Sequence, residues 1–568
     1  MQGIAVSKGI GIARPFIYNQ QEIIINDIEV AQEEIVYEEE KIDSAYLEAE
    51  LQLNALKEKA LNEIGEEEAE IFEAHLMMLK DPMLAERIKE SIDQGKKAEV
   101  AVEAARQNIE KMFMAIPDPY IQGRAADIND VTRRLIQILL GIDHQSLADI
   151  NEPVILIAKD LTPSDTVGLS KQVKGIITEI GSETSHAAII AKAMGLPAMV
   201  GVKNAVQAVD NAEVIILDTV DSNIIMDPSE SLLKNYHDRL EVLERERDAL
   251  KALKFEKAMT TDGHVIKLYA NIGSTNELPY MIENGAEGIG LLRTELIYMN
   301  SDHFPTEEEQ FNIYKEVAEN GGNEIIIRTL DIGGDKQLSY YDFQEEMNPF
   351  LGFRAIRLCL GKEEIFKTQL KAILRAAIYG NIKIMFPMIT SMEELRQVKL
   401  ILEQCKKELK TTEVAYKEDI SVGIMIEVPA AVMIADMLIE EVDFFSIGTN
   451  DLCQYSLAVD RMNTNVAHLY QPLHPGVLRM IKKVIKDAHD HEKMVGMCGE
   501  MAGNPDFTPV LVGLGLDELS MSPSSIPVVK KIIRQLDYKK TRDLAKQLTN
   551  YNTVSDIQKR LEEEALKC

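Results

Sequence analysis

Residues 175–191 read GIITEIGSETSHAAIIA, and the order of residue types predicts a buried strand, a short polar turn and then a helix. Thr184 or Ser185 can cap that helix, because a hydroxyl there satisfies free backbone N–H groups. His186 would then lie in the first turn, where free N–H groups and the helix dipole favour a negatively charged group. An imidazole in that place can attack phosphorus and carry the phosphate, although a lone histidine at a helix start is more often a capping or packing residue. The stretch predicts an α/β unit with a candidate phosphate-carrying histidine.

The composition limits the classes of partner and compartment. A chain of 568 residues predicts about three or four domains, or fewer if one of them is a barrel. The net charge of −32 argues against nucleic acid or an anionic membrane as the main partner, and it suits a basic patch on another protein. The five cysteines form no CxxC pair, which favours a reducing cytosol, and no apolar run is long enough to span a bilayer. We therefore expect a cytoplasmic multidomain protein.

The first half of the chain predicts an α/β domain that is interrupted by helices. Residues 1–20 predict a strand and a turn, and residues 21–144 show helical periodicity with turn signals at Asp81-Pro82 and at 117–119. Strands and helices alternate over 145–228, so that 1–20 and 145–228 together form one domain. Residues 229–260 predict a polar linker helix, because they lack a wide apolar stripe. The helical insert is either a solvated spacer or a platform for a protein partner.

Eight apolar runs alternate with helical patterns over residues 261–568, which is typical of a (β/α)8 barrel. The runs are Val265–Ile272, Gly288–Leu292, Glu324–Thr329, Ile382–Met388, Val422–Ile426, Phe444–Ile447, Val495–Met497 and Glu518–Met521. The predicted fold class is therefore multidomain α/β: an α/β histidine domain with an inserted helical bundle, a linker helix and a C-terminal barrel.

Charged side chains follow these runs, where a barrel has its active site. They include Arg293, Arg328, Lys336, Arg354, Glu427, Asn450 with Asp451, Arg461 and Cys498. Several arginines suit a small, multiply charged anion, because each guanidinium can clamp a carboxylate or phosphate. Glu427 and Asp451 offer the oxygen ligands that Mg²⁺ prefers, and Cys498 is a candidate proton donor. Taken singly, each charged residue is more often a surface ion pair, and a buried thiol is often inert.

Motifs along nearly the whole chain resemble the Enzyme I family of the bacterial phosphoenolpyruvate:sugar phosphotransferase systems. They are Thr184–Lys192, Leu196–Gly201, Gly290–Glu295, Arg328–Lys336, Asn348–Gly352, Gly423–Pro429, Ser446–Leu452, Leu457–Arg461 and Cys498–Gly503, with Arg124–Ile128 in the helical insert. The resemblance implies that His186 is phosphorylated and that Cys498 protonates the enolate carbon to give pyruvate. It also implies that Mg²⁺ is bound by Glu427 and Asp451.

The same resemblance implies the remaining site residues and the partners. The residues that contact phosphoenolpyruvate would be Arg293, Arg328, Lys336, Arg354, Asn450, Asp451 and Arg461. The insert, residues 21–144, would bind the phosphocarrier protein HPr, and the barrel would form a homodimer. Because His186 and the barrel belong to different domains, we expect the histidine domain to swivel between the barrel mouth and HPr.

One departure from the family pattern, at Ser182-Glu183, leaves room for other interpretations. The family usually has Gly-Arg or Gly-Lys there, so an anion replaces a cation near the phosphohistidine. The chain could be a divergent paralogue that serves another HPr-like carrier, or a non-catalytic regulatory relative. A dikinase relative is a further alternative, but it would need a large nucleotide-binding domain for which no segment is left.

Overall fold

The computed structural model divides the chain into two compact units, Met1–Leu243 and Glu244–Cys568. The residues described are 3–18, 25, 30–31, 33–63, 66–114, 119–142, 147, 150–167, 169–182, 185–209, 212–334, 336, 338, 340–344, 346–463 and 465–565. Among them, no helix is both long and apolar enough to cross a membrane.

The first unit contains a mixed sheet with helices inserted between its second and third strands. Its strands are β1 (Ile4–Ser7), β2 (Ile10–Tyr18), β3 (Val154–Ala158), β4 (Val173–Thr178), β5 (Ala198–Val200), β6 (Ile215–Asp218) and β7 (Asn223–Met226). In the described residues the strand order is β1-β5-β4-β3-β2-β6-β7. The β2–β3, β3–β4 and β4–β5 pairs are parallel, whereas β1–β5, β2–β6 and β6–β7 are antiparallel. Within residues 1–20 there are two strands instead of the predicted strand and turn. Strands β5 and β7 were not predicted, because they are too short to show a clear period.

The helices of this unit begin with the insert. They are α1 (Ile35–Glu63), α2 (Glu66–Leu79), α3 (Pro82–Asp93), α4 (Ala98–Met114), α5 (Pro119–Leu140), α6 (Pro163–Thr166), α7 (His186–Met194), α8 (Ala205–Ala208) and α9 (Glu230–Ala252). The predicted helical insert is confirmed. The helical patterns near 66–80, 97–115 and 124–141 did not include helix α3, because Asp81-Pro82 was interpreted only as a turn. Asp81 is its N-cap, and its side chain accepts a hydrogen bond of 2.8 Å from the backbone N–H of Met83. The boundary between the two units falls within α9.

The second unit is built on a closed barrel of parallel strands, as the eight apolar runs predict. The strands are β8 (Lys267–Ile272), β9 (Ile289–Arg293), β10 (Ile325–Arg328), β11 (Ile382–Phe386), β12 (Ser421–Ile426), β13 (Phe444–Ile447), β14 (Met494–Met497) and β15 (Glu518–Met521). They pair in chain order, and β15 closes on β8. Each strand is buried on both faces, which explains why the sequence shows continuous apolar runs instead of alternation.

Helices surround this barrel and supply much of its hydrophobic core. They are α10 (Leu278–Glu283), α11 (Glu295–Met299), α12 (Glu307–Asn320), α13 (Ile356–Gly361), α14 (Glu363–Ala376), α15 (Met392–Thr411), α16 (Pro429–Met433), α17 (Ala435–Leu438), α18 (Thr449–Leu457), α19 (Pro475–Asp490), α20 (Thr508–Leu514), α21 (Ile526–Gln535), α22 (Tyr538–Leu548) and α23 (Val554–Ala565).

One acidic side chain, Glu518, lies fully buried at the start of β15. Neither of its carboxylate oxygens has a hydrogen-bond partner among the described residues. The oxygens occupy the space that a Cβ would take at Gly290 on β9 and at Gly496 on β14. The two glycines therefore make room for this carboxyl group inside the barrel.

Candidate active site

The predicted phosphate-carrying histidine lies at the start of helix α7. His186 is the first residue of that helix, after β4 and a polar turn, as the sequence predicts. Ser185 holds the N-cap position, but its side chain accepts no capping hydrogen bond. Its hydroxyl donates to the carbonyl of Ser182 at 2.9 Å. Glu183, Thr184 and the side chain of His186 lie outside the described residues. The helix start is thus as expected, and the role of His186 stays a prediction.

The other nine predicted site residues line one cavity of about 860 Å³ at the carboxyl ends of the barrel strands. They are Arg293, Arg328, Lys336, Arg354, Glu427, Asn450, Asp451, Arg461 and Cys498. They converge because every strand of a parallel barrel ends on the same face. The sequence spacing therefore predicted a real cluster of polar side chains.

Two buried carboxylates, Glu295 and Asp331, hold three cations of this cavity in place. Glu295 accepts hydrogen bonds of 2.6 Å from both Arg328 and Lys336. Asp331 lies 2.9 Å from Arg328 and accepts a hydrogen bond of 2.8 Å from Arg354. Although burial favours the protonated acids, the neighbouring cations hold the pKa of both carboxyl groups below its usual range. The guanidinium groups of Arg328 and Arg354 are therefore fixed before any ligand arrives.

Arg354 is fixed from a second side as well. It donates to the hydroxyl of Tyr455 at 3.2 Å, and that hydroxyl donates to the carbonyl of Phe350 at 2.7 Å. The same guanidinium lies 3.4 Å from Asp451. The Nε atoms of Arg328, Arg354 and Arg461 are buried and have no hydrogen-bond partner among the described residues.

Glu427 and Asp451 are the two carboxylates that suit a metal ion. One oxygen of Glu427 accepts a hydrogen bond of 2.7 Å from the backbone N–H of Met388. Burial, with the charges of Asp451 and Asp331, raises the pKa of Glu427 to about 8, against the opposing effect of Arg328 and Arg354. No cluster of three or more metal-ligating side chains occurs in the described part of the chain. Two repelling oxygen donors without a third protein ligand fit Mg²⁺, which usually keeps water and substrate oxygens in its shell.

Cys498 follows β14 and lies at the floor of the cavity against Leu291, Met425 and Phe444. Burial raises the pKa of its thiol to about 12, an effect that Ser446 and Arg328 partly oppose. The thiol is therefore protonated at neutral pH and can donate a proton. Its backbone carbonyl accepts a hydrogen bond of 3.0 Å from Asn271 on β8.

Comparison with known proteins shows which family the sequence belongs to. The model of the PEP-utilising enzyme N-terminal domain matches residues 2–124, that of the mobile domain 150–221, and that of the PEP-binding domain 247–538. A phosphoenolpyruvate-protein phosphotransferase of Priestia megaterium is 47% identical over 539 residues, which cover 94% of each chain. Those of Listeria innocua and Bacillus subtilis are 45% and 43% identical over 560 residues, which cover 98% of this chain and of each relative.

This chain belongs to the PEP-utilising enzyme family. All nine residues that line its cavity fall within the match to the PEP-binding domain, and His186 falls within the match to the mobile domain.

Five further residues shape the cavity of this PEP-utilising enzyme: Asn271, Glu295, Asp331, Tyr455 and Glu500. Glu295, Asp331 and Glu500 are recognisable in the sequence as polar residues after strand runs, but nothing in the sequence indicated which cation each one contacts. Tyr455 and Asn271 gave no signal, because their contacts join parts of the chain that are distant in sequence.

Proposed function

We propose that this chain is a phosphoenolpyruvate-protein phosphotransferase that moves the phosphoryl group of phosphoenolpyruvate to His186 and then to a histidine of HPr. The observation that carries the proposal is the cavity at the barrel mouth, which combines fixed guanidinium groups, two metal-suited carboxylates and a protonated thiol. The family and the names of the relatives support the same reaction.

The cations of the cavity would bind the substrate. Arg293, Arg328, Arg461 and the amide of Asn450 hold its carboxylate and phosphate, while Lys336 and Arg354 add positive charge near the transferring group. Phosphoryl transfer depends mainly on positioning and charge neutralisation, because little covalent chemistry is required of the protein. Asp331 holds Arg328 and Arg354 in place before the substrate binds, which provides positive charge at fixed positions.

Glu427 and Asp451 would bind Mg²⁺ together with substrate oxygens. The ion would supply a positive charge that neutralises the phosphate and the enolate oxygen. The raised pKa of Glu427 supports this assignment, since a cation beside two repelling carboxylates favours their ionised forms.

The reaction balances with two residues of the chain. A ring nitrogen of His186 forms a bond to phosphorus, and the bond from phosphorus to the enol oxygen breaks, so that the electron pair leaves with the enolate. Cys498 gives its thiol proton to the methylene carbon of the enolate, and pyruvate leaves. Arg328 stabilises the thiolate that remains, because its charge favours the ionised form.

We also propose a role or a partner for each segment of the chain. Residues 1–20 and 145–228 form the swivelling histidine domain, 21–144 bind HPr, 229–260 link the halves, and 261–568 bind substrate and form a homodimer. Exposed methionines on the barrel unit, Met433, Met437 and Met462, supply apolar surface for such a dimer.

Incorporation of radiolabelled phosphate from phosphoenolpyruvate with Mg²⁺ tests the function. We expect acid-labile label on the wild type, none on His186→Ala, and transfer of the label to added HPr. Label that stays on the enzyme would assign it to another carrier, in line with Glu183. Absence of label from the wild type would refute the catalytic assignment and favour a regulatory relative.

A further inference from the structure

One carboxylate oxygen at the barrel mouth contacts two of the proposed substrate-binding side chains. Oε1 of Glu500 accepts hydrogen bonds from the amide of Asn450 at 3.1 Å and from the guanidinium of Arg461 at 3.3 Å. Glu500 follows β14 directly after Cys498 and Gly499, and it lines the same cavity. A carboxylate of the protein therefore occupies a position suited to an acid group of the substrate.

The orientation of the Asn450 amide is fixed by the same residue. Its Oδ1 accepts a hydrogen bond of 2.9 Å from the backbone N–H of Glu500. A backbone N–H can only donate, so the oxygen of the amide must face it and the NH₂ group must face the carboxylate. Glu500 thus holds the donors of Asn450 and Arg461 towards one point.

Glu500 differs from the other carboxylates of the cavity in its exposure. Its side chain is 78% exposed, whereas the side chains of Glu295 and Asp331 are 4% and 2% exposed. An exposed ion pair contributes little stability, whereas a buried pair is costly to break because one charge would stay uncompensated. Of these three carboxylates, Glu500 is the one that an incoming anion can displace most easily.

We propose that Glu500 is a positioning and affinity-determining residue, whose carboxylate stands in for the substrate's acid group and is displaced when the substrate binds. The inference rests on the proposed function, in which Asn450 and Arg461 hold phosphoenolpyruvate. Glu500 keeps both donors oriented in the free site, and its negative charge competes with the anion for them. Anions that bind Asn450 and Arg461 only weakly are excluded from the site, because each must displace the carboxylate of Glu500.

Replacing Glu500 with glutamine separates its orientation of the two donors from its competition with the anion. Glu500→Gln keeps an oxygen that accepts from Asn450 and Arg461, but it removes the competing charge. We expect this variant to bind phosphoenolpyruvate about two- to fivefold more tightly, as the loss of one exposed ion pair allows. Asp506→Asn is the matched control, because Asp506 is an exposed acid six residues further along the same segment and does not line the cavity. It changes the net charge equally and should leave the affinity unchanged.

The experiment is calorimetric titration of phosphoenolpyruvate with Mg²⁺ into His186→Ala chains, which cannot accept the phosphate. Tighter binding by His186→Ala/Glu500→Gln than by His186→Ala supports the proposal, as does a lower KM with unchanged kcat when His186 is present. Equal or weaker binding would overturn it and make Glu500 a permanent part of the occupied site. Failure of the His186→Ala chain itself to bind would refute the proposed function as well, so the two failures are distinguishable.

Discussion

The Cys498 thiol is the proposed proton donor for the release of pyruvate. We expect Cys498→Ala to lower the rate of pyruvate formation about 10²- to 10⁴-fold, the usual effect of losing a positioned proton donor. Pyruvate can be followed by its reduction with lactate dehydrogenase. Because the pKa of the thiol is about 12, we expect no loss of the donor between neutral pH and about pH 10.

Cys405→Ala is the matched control for this substitution, because Cys405 is also buried but lies on α15, outside the cavity. A rate for Cys498→Ala within twofold of that of Cys405→Ala would contradict the assignment.

The buried carboxyl group of Glu518 makes stability depend on pH. Burial, with a smaller effect of Glu324, raises the pKa of Glu518 to about 8. Between the ordinary value of about 4.5 and 8, the folded chain keeps a proton that the unfolded chain has lost, so the free energy of unfolding falls as the pH rises. We expect Glu518→Gln to remove this contribution, and its Tm relative to wild type should rise from pH 5 to pH 8.

Thermal unfolding of the wild type and of Glu518→Gln across this pH range measures the difference. The glutamine side chain that replaces Glu518 would also be buried without a hydrogen-bond partner. We therefore expect Glu518→Gln to lower the Tm by a constant amount at every pH, in addition to the pH-dependent difference. Parallel pH profiles of the two chains would show that Glu518 is already ionised in the folded state.

At the scale of elements, the loop after β10 positions Arg354 by close contact. Gly333 has φ +108°, and a Cβ there would lie 2.6 Å from the Cβ of Arg354. We expect Gly333→Ala to displace Arg354 and to raise the KM for phosphoenolpyruvate about ten- to hundredfold, as loss of a charged hydrogen bond implies. Steady-state kinetics measures this.

Gly334→Ala is the control for the backbone strain. Gly334 also has a positive φ, of +73°, but its nearest neighbour, Phe350, would be at an ordinary distance of 3.5 Å. If both variants raise the KM equally, strain in the loop is the cause and not contact with Arg354.

Helix α3 depends on its N-cap. We expect Asp81→Ala to lower the free energy of unfolding of the helical insert by about 1 kcal/mol, because a backbone N–H loses its acceptor. Asp81→Ser keeps an acceptor and should cost much less. Urea unfolding followed by circular dichroism compares the two, and equal losses would mean that the cap is not what stabilises α3.

These elements also show how far the sequence predicts the structure. The barrel strands were predictable, because strands buried on both faces give continuous apolar runs between helical patterns. Helix α3 was missed because an Asp-Pro pair signals both a turn and a helix start, and β5 was missed because three residues show no period. The positions of the strand ends predicted which residues meet in the cavity, because all strands of a parallel barrel end on the same face. The pairing of Arg354 with Asp331 and Tyr455 was not predictable, because it depends on side-chain geometry.

At the scale of the whole molecule, the net charge of −32 bears on association with a carrier. Raising the ionic strength from about 0.1 M to about 1 M shortens the Debye length from about 10 to about 3 Å. If HPr presents a basic patch, we expect phosphate transfer to it to slow at least about tenfold over this range, because steering is lost. Rapid-quench transfer from pre-phosphorylated enzyme isolates this step. An unchanged rate would show that the acidic surface does not guide the carrier.

The nesting of Glu518 against Gly290 and Gly496 constrains evolution at three positions distant in sequence. A methyl group at either glycine would overlap a carboxylate oxygen, and one at Gly290 would also lie 2.6 Å from the Cβ of Ser520. A shorter residue in place of Glu518 would therefore make room for a side chain at Gly496 but not at Gly290. Across an alignment of the family, the positions of Gly496 and Glu518 should covary, whereas glycine should persist at the position of Gly290.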